Sequence, residues 1–250
     1  MKFFHAPVLI ALLLASPVLA KPAAPTKAIA AALADPARPA EDSARDAARK
    51  PAEILAFGQV KPGDKVIDFI MGGGYFTRLL AKTVGPKGHV YAYQPAEFIQ
   101  FKAQYGEDQK KVAAAYGNIT ALSDSLGALA FPEPVDFIFT AQNYHDLHLA
   151  VSPPGLADSV NAALFKALKP GGVLLIVDHV ATAGSGTKDS NTLHRIDPAA
   201  VRAEVEKAGF RFEAESKILA SPGDPHTLIV FDPAIRGKTD QFIYRFRKPR

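Results

Sequence analysis

The run Lys65-Val66-Ile67-Asp68-Phe69-Ile70-Met71-Gly72-Gly73-Gly74-Tyr75-Phe76-Thr77-Arg78-Leu79-Leu80-Ala81 decides the fold. Residues 66–70 are β-branched or aromatic around a single acid, and predict a strand with Asp68 near its carboxyl end. Three glycines at 72–74 predict a turn, and residues 76–83 an amphipathic helix. Such a strand–turn–helix unit aims the helix N-terminal N–H groups and one carboxylate at a common small ligand. Glycine suits the turn because a Cβ would obstruct close backbone approach or a left-handed conformation.

Outward from this unit, strand and helix signals alternate. Strands are predicted over 89–93, 119–122, 135–140, 172–177 and 212–219, with helices over 96–116, 158–168 and 198–208 between them. Alternation on this scale argues for a largely parallel sheet covered on both faces. The runs 227–231 and 241–246 read as closing strands. Upstream, 41–57 reads as a helix interrupted or restarted at Pro51, and Pro62-Gly63-Asp64 as the turn into the first strand. No repeat is present, and residues 41–250 read as one α/β domain.

The motif around Asp68 resembles that of the Rossmann-like (class I) methyltransferases dependent on S-adenosyl-L-methionine (SAM). Their first strand and loop commonly read Val-Leu-Asp-Leu-Gly-x-Gly-x-Gly-Tyr-x-Thr. Asp68, Gly72, Gly74, Tyr75 and Thr77 fall on that pattern, while Ile70 stands in place of its first glycine. Leu168-Lys169-Pro170-Gly171-Gly172, ahead of an apolar run to Asp178, resembles the family's fifth strand and its lead-in. Ala208-Gly209-Phe210 is similar to the turn before the sixth. The likeness extends from residue 48 to residue 250. More narrowly, Gly-Gly-Gly-Tyr and Asn-Tyr-His-Asp-Leu-His resemble a bacterial group of predicted exported methyltransferases. The resemblance implies a Rossmann-like, largely parallel seven-stranded sheet with helices on both faces, an antiparallel C-terminal strand, and SAM as cofactor. It assigns cofactor binding to Asp68, Gly72, Gly73, Gly74, Gln94, Asp124 and Asn143. A dinucleotide fold would place a further glycine at the position of Thr77, which disfavours NAD or FAD.

Residues 1–20 read as a secretory signal, with Lys2 at the start, an apolar core over 6–15 and a Val18-Leu19-Ala20 cleavage site. The core is too short to span a bilayer comfortably, so no stable membrane insertion is expected after cleavage. The protein is expected in the periplasm or otherwise exported. Residues 21–40, rich in Ala and Pro and without aromatics, read as a tether. Loss of Lys2 takes the net charge from +4 to +3, too small a surplus to argue for nucleic acid. The absence of cysteine excludes disulfides, a thiolate nucleophile and Cys-ligated zinc.

In open parallel sheets, ligands lie beyond the carboxyl ends of the strands. Gln94 ends the second strand, where the family places an acid that accepts from both ribose hydroxyls. Glutamine offers one carbonyl acceptor and an NH₂ donor, and Glu97 stands nearby as a substitute. Asp124 follows the third strand at a position that resembles the family's adenine contact. After the fourth strand, Asn143-Tyr144-His145-Asp146-Leu147-His148 crowds polar groups where donor and acceptor meet in the family. His145 is the first candidate for the base that removes the acceptor's proton and His194 the second, with Tyr144 shaping the acceptor pocket. The alternative is structural, with Asn143 and Asp146 capping the next helix and the histidines on the surface. His145 and His148, three apart with an acid between, form a common spacing, and no metal is expected. Asp178-His179 ends the fifth strand; residues 183–191 have the composition of a mobile lid, and His194 lies at its exit. Asp197-Pro198 reads as a helix N-cap and first-turn proline. The expected function is methyl transfer from SAM to a small-molecule acceptor. A binding protein that kept the fold, and a His/Asp metal-dependent hydrolase, are the alternatives.

Overall fold

A computed structural model describes residues 24–250; the signal read over 1–20 lies outside the described residues. Seven strands form one sheet: β1 (Lys65–Phe69), β2 (His89–Tyr93), β3 (Ile119–Leu122), β4 (Val135–Ala141), β5 (Leu168–His179), β6 (Arg211–Ser216) and β7 (Gln241–Arg247). Their order is β3-β2-β1-β4-β5-β7-β6. β1 pairs in parallel with β2 and β4, and β7 lies antiparallel to both β5 and β6. This is the expected Rossmann-like arrangement with its antiparallel C-terminal strand. Strand order reverses between β1 and β4, so their carboxyl ends open a crevice.

Side chains on the central strands alternate between two buried layers. Val66, Phe137, Phe139, Leu175 and Val177 face one layer, and Ile67, Phe69, Ile138, Leu174 and Ile176 the other. A sheet buried on both faces explains the near-continuous apolar runs that mark these strands. Ten helices surround it among the described residues: α1 (Lys27–Leu33), α2 (Ala40–Ser43), α3 (Asp46–Arg49), α4 (Pro51–Gly58), α5 (Tyr75–Val84), α6 (Ala96–Phe101), α7 (Gln104–Ala115), α8 (Leu156–Ala167), α9 (Ser190–Leu193) and α10 (Pro198–Lys207). Among the described residues, no helix is long and apolar enough to cross a membrane.

Several expectations need correction. The stretch read as a tether holds α1, which Thr26 caps and which buries Ile29 and Ala32 completely in the core. Its apolar stripe, one turn apart, is masked by the surrounding alanines and prolines. The helix read over 41–57 is three pieces, α2 to α4. The interruption expected at Pro51 is present, with Lys50 before it in the left-handed region at φ 44°; the further break, between Ser43 and Asp46, is the departure. The helix read over 96–116 breaks at Lys102, which is extended. The sixth strand stops at Ser216, short of the expected 219. Residues 227–231 are irregular, ending in a turn at 230–231, rather than a strand. There the chain instead runs beside α9, with Leu228 O accepting from Arg195 Nε and Val230 N–H donating to Leu193 O, and Arg195 is held in turn by its fully buried ion pair with Asp224 at 2.9 Å.

Candidate active site

Two adjoining groups of residues occupy the carboxyl edge of the sheet. The first begins where β1 ends. Ile70, at the position of the missing glycine, adopts φ 63°, a left-handed conformation that costs a β-branched residue about 1–2 kcal/mol. Its side chain packs in the core, and its carbonyl accepts a 2.9 Å hydrogen bond from Asn143 Nδ2. The same Asn143 nitrogen donates to Ala141 O at 2.7 Å, so one side chain ties the end of β1 to the end of β4.

The three glycines divide the work. A Cβ at Gly72 or Gly73 would meet nothing within 4 Å, so these two face open space. One at Gly74 would lie 2.7 Å from Val112 Cγ2, so this glycine serves the packing of α7 on the loop. Above the open pair lies a cavity of about 190 Å³ that also reaches Asp68, Asn143, Arg45 and Arg49. Asp68 is buried and accepts from the Thr77 hydroxyl at 2.6 Å; burial pushes its carboxyl up to about 6. Thr77, at the position of the absent dinucleotide glycine, thus anchors the acid.

The arginines were not legible as site residues. Arg38 is paired with Asp46, and Arg45 and Arg78 with Asp42, at 2.6–2.8 Å. The side chain of Arg49 alone of this group makes no hydrogen bond or ion pair among the described residues, although Asp42 and Asp68 lie near enough to attract it. Its guanidinium lies 4.4 Å from the Tyr75 ring centroid and 5.0 Å from that of Phe76. Burial, then the neighbouring Arg45, lower its pKa. A partly desolvated cation without a partner, at the wall of a cavity, invites an anion.

Gln94 sits at the end of β2 as expected, but its carbonyl is already engaged. Gly72 N–H donates to Oε1 at 2.9 Å, and Nε2 is buried without a partner. The side chain is fully buried and its acceptor is spent on the glycine turn, so it does not present the free acceptor that the family position implies. Glu97 is no substitute, because its carboxylate accepts from Ser125 and Leu126 N–H across the β3 loop. Asp124 lies exposed after β3, its carbonyl accepting from the Tyr93 hydroxyl at 2.8 Å.

The second group follows β4. His145 is almost fully buried and Asp178 completely so. Nδ1–H of His145 donates to Asp178 Oδ1 at 2.8 Å, and its backbone N–H to Oδ2 at 2.8 Å. Burial opposes both charges, yet Asp178 raises the His145 pKa, and His145 holds the Asp178 carboxyl below its usual range. The other ring nitrogen, Nε2, lies 3.2 Å from His194 Nδ1 and 3.3 Å from Asp146 Oδ1. Burial pushes the Asp146 carboxyl up to about 6 and lowers His194. His179 packs beside this group, bonded to Thr239 and driven down to about 4 by burial.

His194 arrives from 49 residues away. It ends α9 in the left-handed region at φ 54°, and the next residue, Arg195, is locked to Val180 O and Asp224. Residues 183–191 are not a free lid. Asp197 caps α10, as expected, and also accepts from Gly184 N–H at 2.7 Å, while Ser190 is buried. Tyr144 needs correction too. It points into the core, its hydroxyl donating to Glu204 at 3.0 Å and accepting from Asn161 at 2.8 Å, so it cannot shape an acceptor pocket. His148 turns the same way, to Glu204. Asp146 and Asp178, which the sequence did not single out for catalysis, complete the group that His145 and His194 begin.

No protein-family model matches the chain. It is 29% identical over 127 residues to the protein-L-isoaspartate O-methyltransferase of Ignicoccus hospitalis, a match covering 50% of this chain and 52% of that protein. The chain spans about half the length of the curated relatives it matches. Among solved structures it resembles a SAM-dependent methyltransferase from Aquifex aeolicus, at 23% identity and a TM-score of 0.57, covering 81% of this chain and 97% of that one. It also resembles a protein from Bordetella parapertussis described as possibly exported, at 16% identity and a TM-score of 0.51, over 83% of this chain and 68% of that one. The architecture is the class I methyltransferase fold.

Proposed function

We propose that the protein is a SAM-dependent methyltransferase acting on a small-molecule acceptor. The observation that carries this reading is a cavity with an open glycine floor and an unpaired arginine, joined through Asn143 to a buried His–Asp group. The residues suit SAM. Arg49 would take its carboxylate, and Gly72 and Gly73 leave room for close approach. When bound, SAM supplies an electrophilic methyl group.

The remaining work falls to the chain itself. Asn143 fixes the distance between the β1 loop and the β4 loop, and so between the cofactor end and the acceptor end. Asp178 sets the tautomer of His145 and turns Nε2 towards Asp146 and His194. The acceptor's proton leaves at this group, with His145 at its centre and His194, the more exposed of the two, at its mouth. The signal-like residues 1–20 support export to the periplasm; mass spectrometry of the secreted protein beginning at Met1 would refute it.

Calorimetry of the purified protein with SAM and with its demethylated product tests the cofactor. Saturable binding of both is expected, and no binding of either would overturn the reading. Binding without methyl loss in the presence of any acceptor extract would favour a protein that kept the fold for recognition alone.

A further inference from the structure

Three donor atoms converge at the acceptor end with nothing positive between them. Asp178 is a carboxylate that already accepts from two backbone N–H groups, those of His145 and His179. It therefore accepts from His145 Nδ1–H as well, which leaves a lone pair on Nε2. That lone pair faces Asp146 Oδ1 at 3.3 Å and His194 Nδ1 at 3.2 Å, and the latter two are 4.0 Å apart. The Asp146 carboxylate accepts no hydrogen bond from any backbone, lysine, arginine or hydroxyl donor among the described residues, although its side chain is only 12% exposed. A mostly buried carboxylate beside two imidazole nitrogens needs either a proton shared among them or a cation.

We propose that His145, Asp146 and His194 hold a divalent transition-metal ion. Ligands bonded at about 2.1 Å stand about 3.0 Å apart in octahedral and about 3.4 Å apart in tetrahedral geometry, which brackets two of the three separations. The third is wider by the reach of His194, the most exposed of the three side chains at 28%. Asp178 supplies the outer carboxylate that commonly orients a metal-binding histidine. The rigid anchoring of Arg195 beside His194, and of Asp178 behind His145, holds two ligands in place before any ion arrives. Two nitrogens and one carboxylate suit zinc, iron(II), cobalt(II), nickel(II) or manganese(II), and three protein ligands leave positions open.

This deepens the methyltransferase reading and rests on it for its substrate. An ion at this edge would bind a hydroxyl of the acceptor, lower its pKa and hold the oxygen facing the cofactor cavity. The acceptor class is then a small oxygen-bearing chelator, such as a vicinal diol or a hydroxy acid, whose second oxygen fills another open position. It is an oxygen that is methylated; with the ring nitrogens of His145 and His194 bound to the ion they no longer serve as the base, the ion's lowering of the hydroxyl pKa takes that role, and the proton lost from the bound hydroxyl passes to solvent.

The test is calorimetric titration of chelator-stripped full-length protein with Zn²⁺, Mn²⁺ and Co²⁺, with the visible spectrum of the cobalt form as a second readout. One equivalent of saturable binding is expected. Asp146→Asn and His194→Ala should each weaken it by more than about 100-fold, beyond the loss of a mere outer partner, while His148→Ala leaves it unchanged. Neither change removes a packed apolar side chain, and circular dichroism with the urea midpoint of the same variants checks that they fold. Absence of stoichiometric binding by the wild-type protein, or binding that survives both ligand variants, would overturn the metal site. If metal binds as expected but SAM does not, the metal site stands and the methyltransferase reading falls.

Discussion

Arg49→Met isolates the contact that the cofactor reading most depends on. Methionine keeps an unbranched apolar stem against Tyr75 and Phe76 and removes only the guanidinium. In the free protein two effects oppose each other. The change forfeits a cation–π contact of about 0.5–2 kcal/mol, and it relieves the desolvation of a cation that has no partner. The melting temperature should therefore move little. In the complex the variant loses a charge-assisted bond to the SAM carboxylate, about 1.5–3 kcal/mol, so the dissociation constant should rise roughly 10- to 150-fold. Arg45 is the control: it is half exposed and already paired with Asp42, so Arg45→Met should cost less than about threefold. The decisive assay is calorimetry with two ligands, SAM and decarboxylated SAM. Wild type and Arg49→Met should bind the decarboxylated ligand alike, because the group that Arg49 meets is absent. Equal losses on both ligands, or no loss on either, would refute the placing of Arg49 at the carboxylate.

Two further outcomes follow from buried polar groups, Asp68 at the same cavity and Gln94 bonded to its glycine floor. Asp68 has its pKa raised from 3.8 to about 6, so the native state binds more protons than the unfolded chain between those values, and its contribution to stability falls as pH rises through them. Asp68→Asn should gain about 2 kcal/mol relative to wild type between pH 4 and pH 7 in urea unfolding; parallel pH profiles for the two proteins would contradict this. Gln94→Glu keeps an acceptor for Gly72 N–H and exchanges the orphaned Nε2 for a second acceptor. It should lower the thermal stability of the free protein by burying a charge, yet tighten SAM by about 1 kcal/mol through the ribose hydroxyls; an unchanged affinity in a folded variant would remove Gln94 from the ribose position.

The glycine-loop half of the site was legible where its chemistry is local. Asp68, the glycines and Thr77 lie within ten residues of one another, and their spacing alone prescribes a strand, a turn and a helix. Gln94 was legible in position but not in direction, because whether its carbonyl meets a ligand or Gly72 N–H depends on the packing of β2 against the loop. Arg49 was invisible: an arginine in a short Ala-rich helix carries no mark of being left unpaired, and only the pairing of its neighbours with Asp42 and Asp46 singles it out. The acceptor half called for a pairing that no local pattern encodes. The sequence offered His145 with His148, three apart, whereas folding sends His148 to Glu204 and brings in His194 from the end of α9, beyond β5. Position after β4 alone suggests that Tyr144 shapes an acceptor pocket, whereas Glu204 and Asn161 bind its hydroxyl inside the core.

Backbone strain supports the same site without appeal to any resemblance. Among the described residues six non-glycine positions have positive φ: Lys50, Gln59, Ile70, Gln142, His194 and His226. Four of them adjoin the site. Lys50 follows Arg49, Ile70 opens the glycine turn, Gln142 precedes Asn143, and His194 is itself a member of the His–Asp group. Each such conformation costs about 1–3 kcal/mol and persists only where its surroundings hold it. Here the holding contacts are visible: Asn143 to the carbonyl of Ile70, Gln142 Nε2 to Gln241 Oε1 at 3.0 Å, and the buried Arg195 behind His194. A fold selected for stability alone would place glycine or asparagine at these turns, as it does at Gly63 and Gly155. Ile70 fills the core while turning its carbonyl to Asn143, and His194 turns a ring nitrogen to His145; glycine could do neither. The strain is concentrated where side-chain direction matters, which is the expected signature of a site whose two halves must be held at a fixed separation.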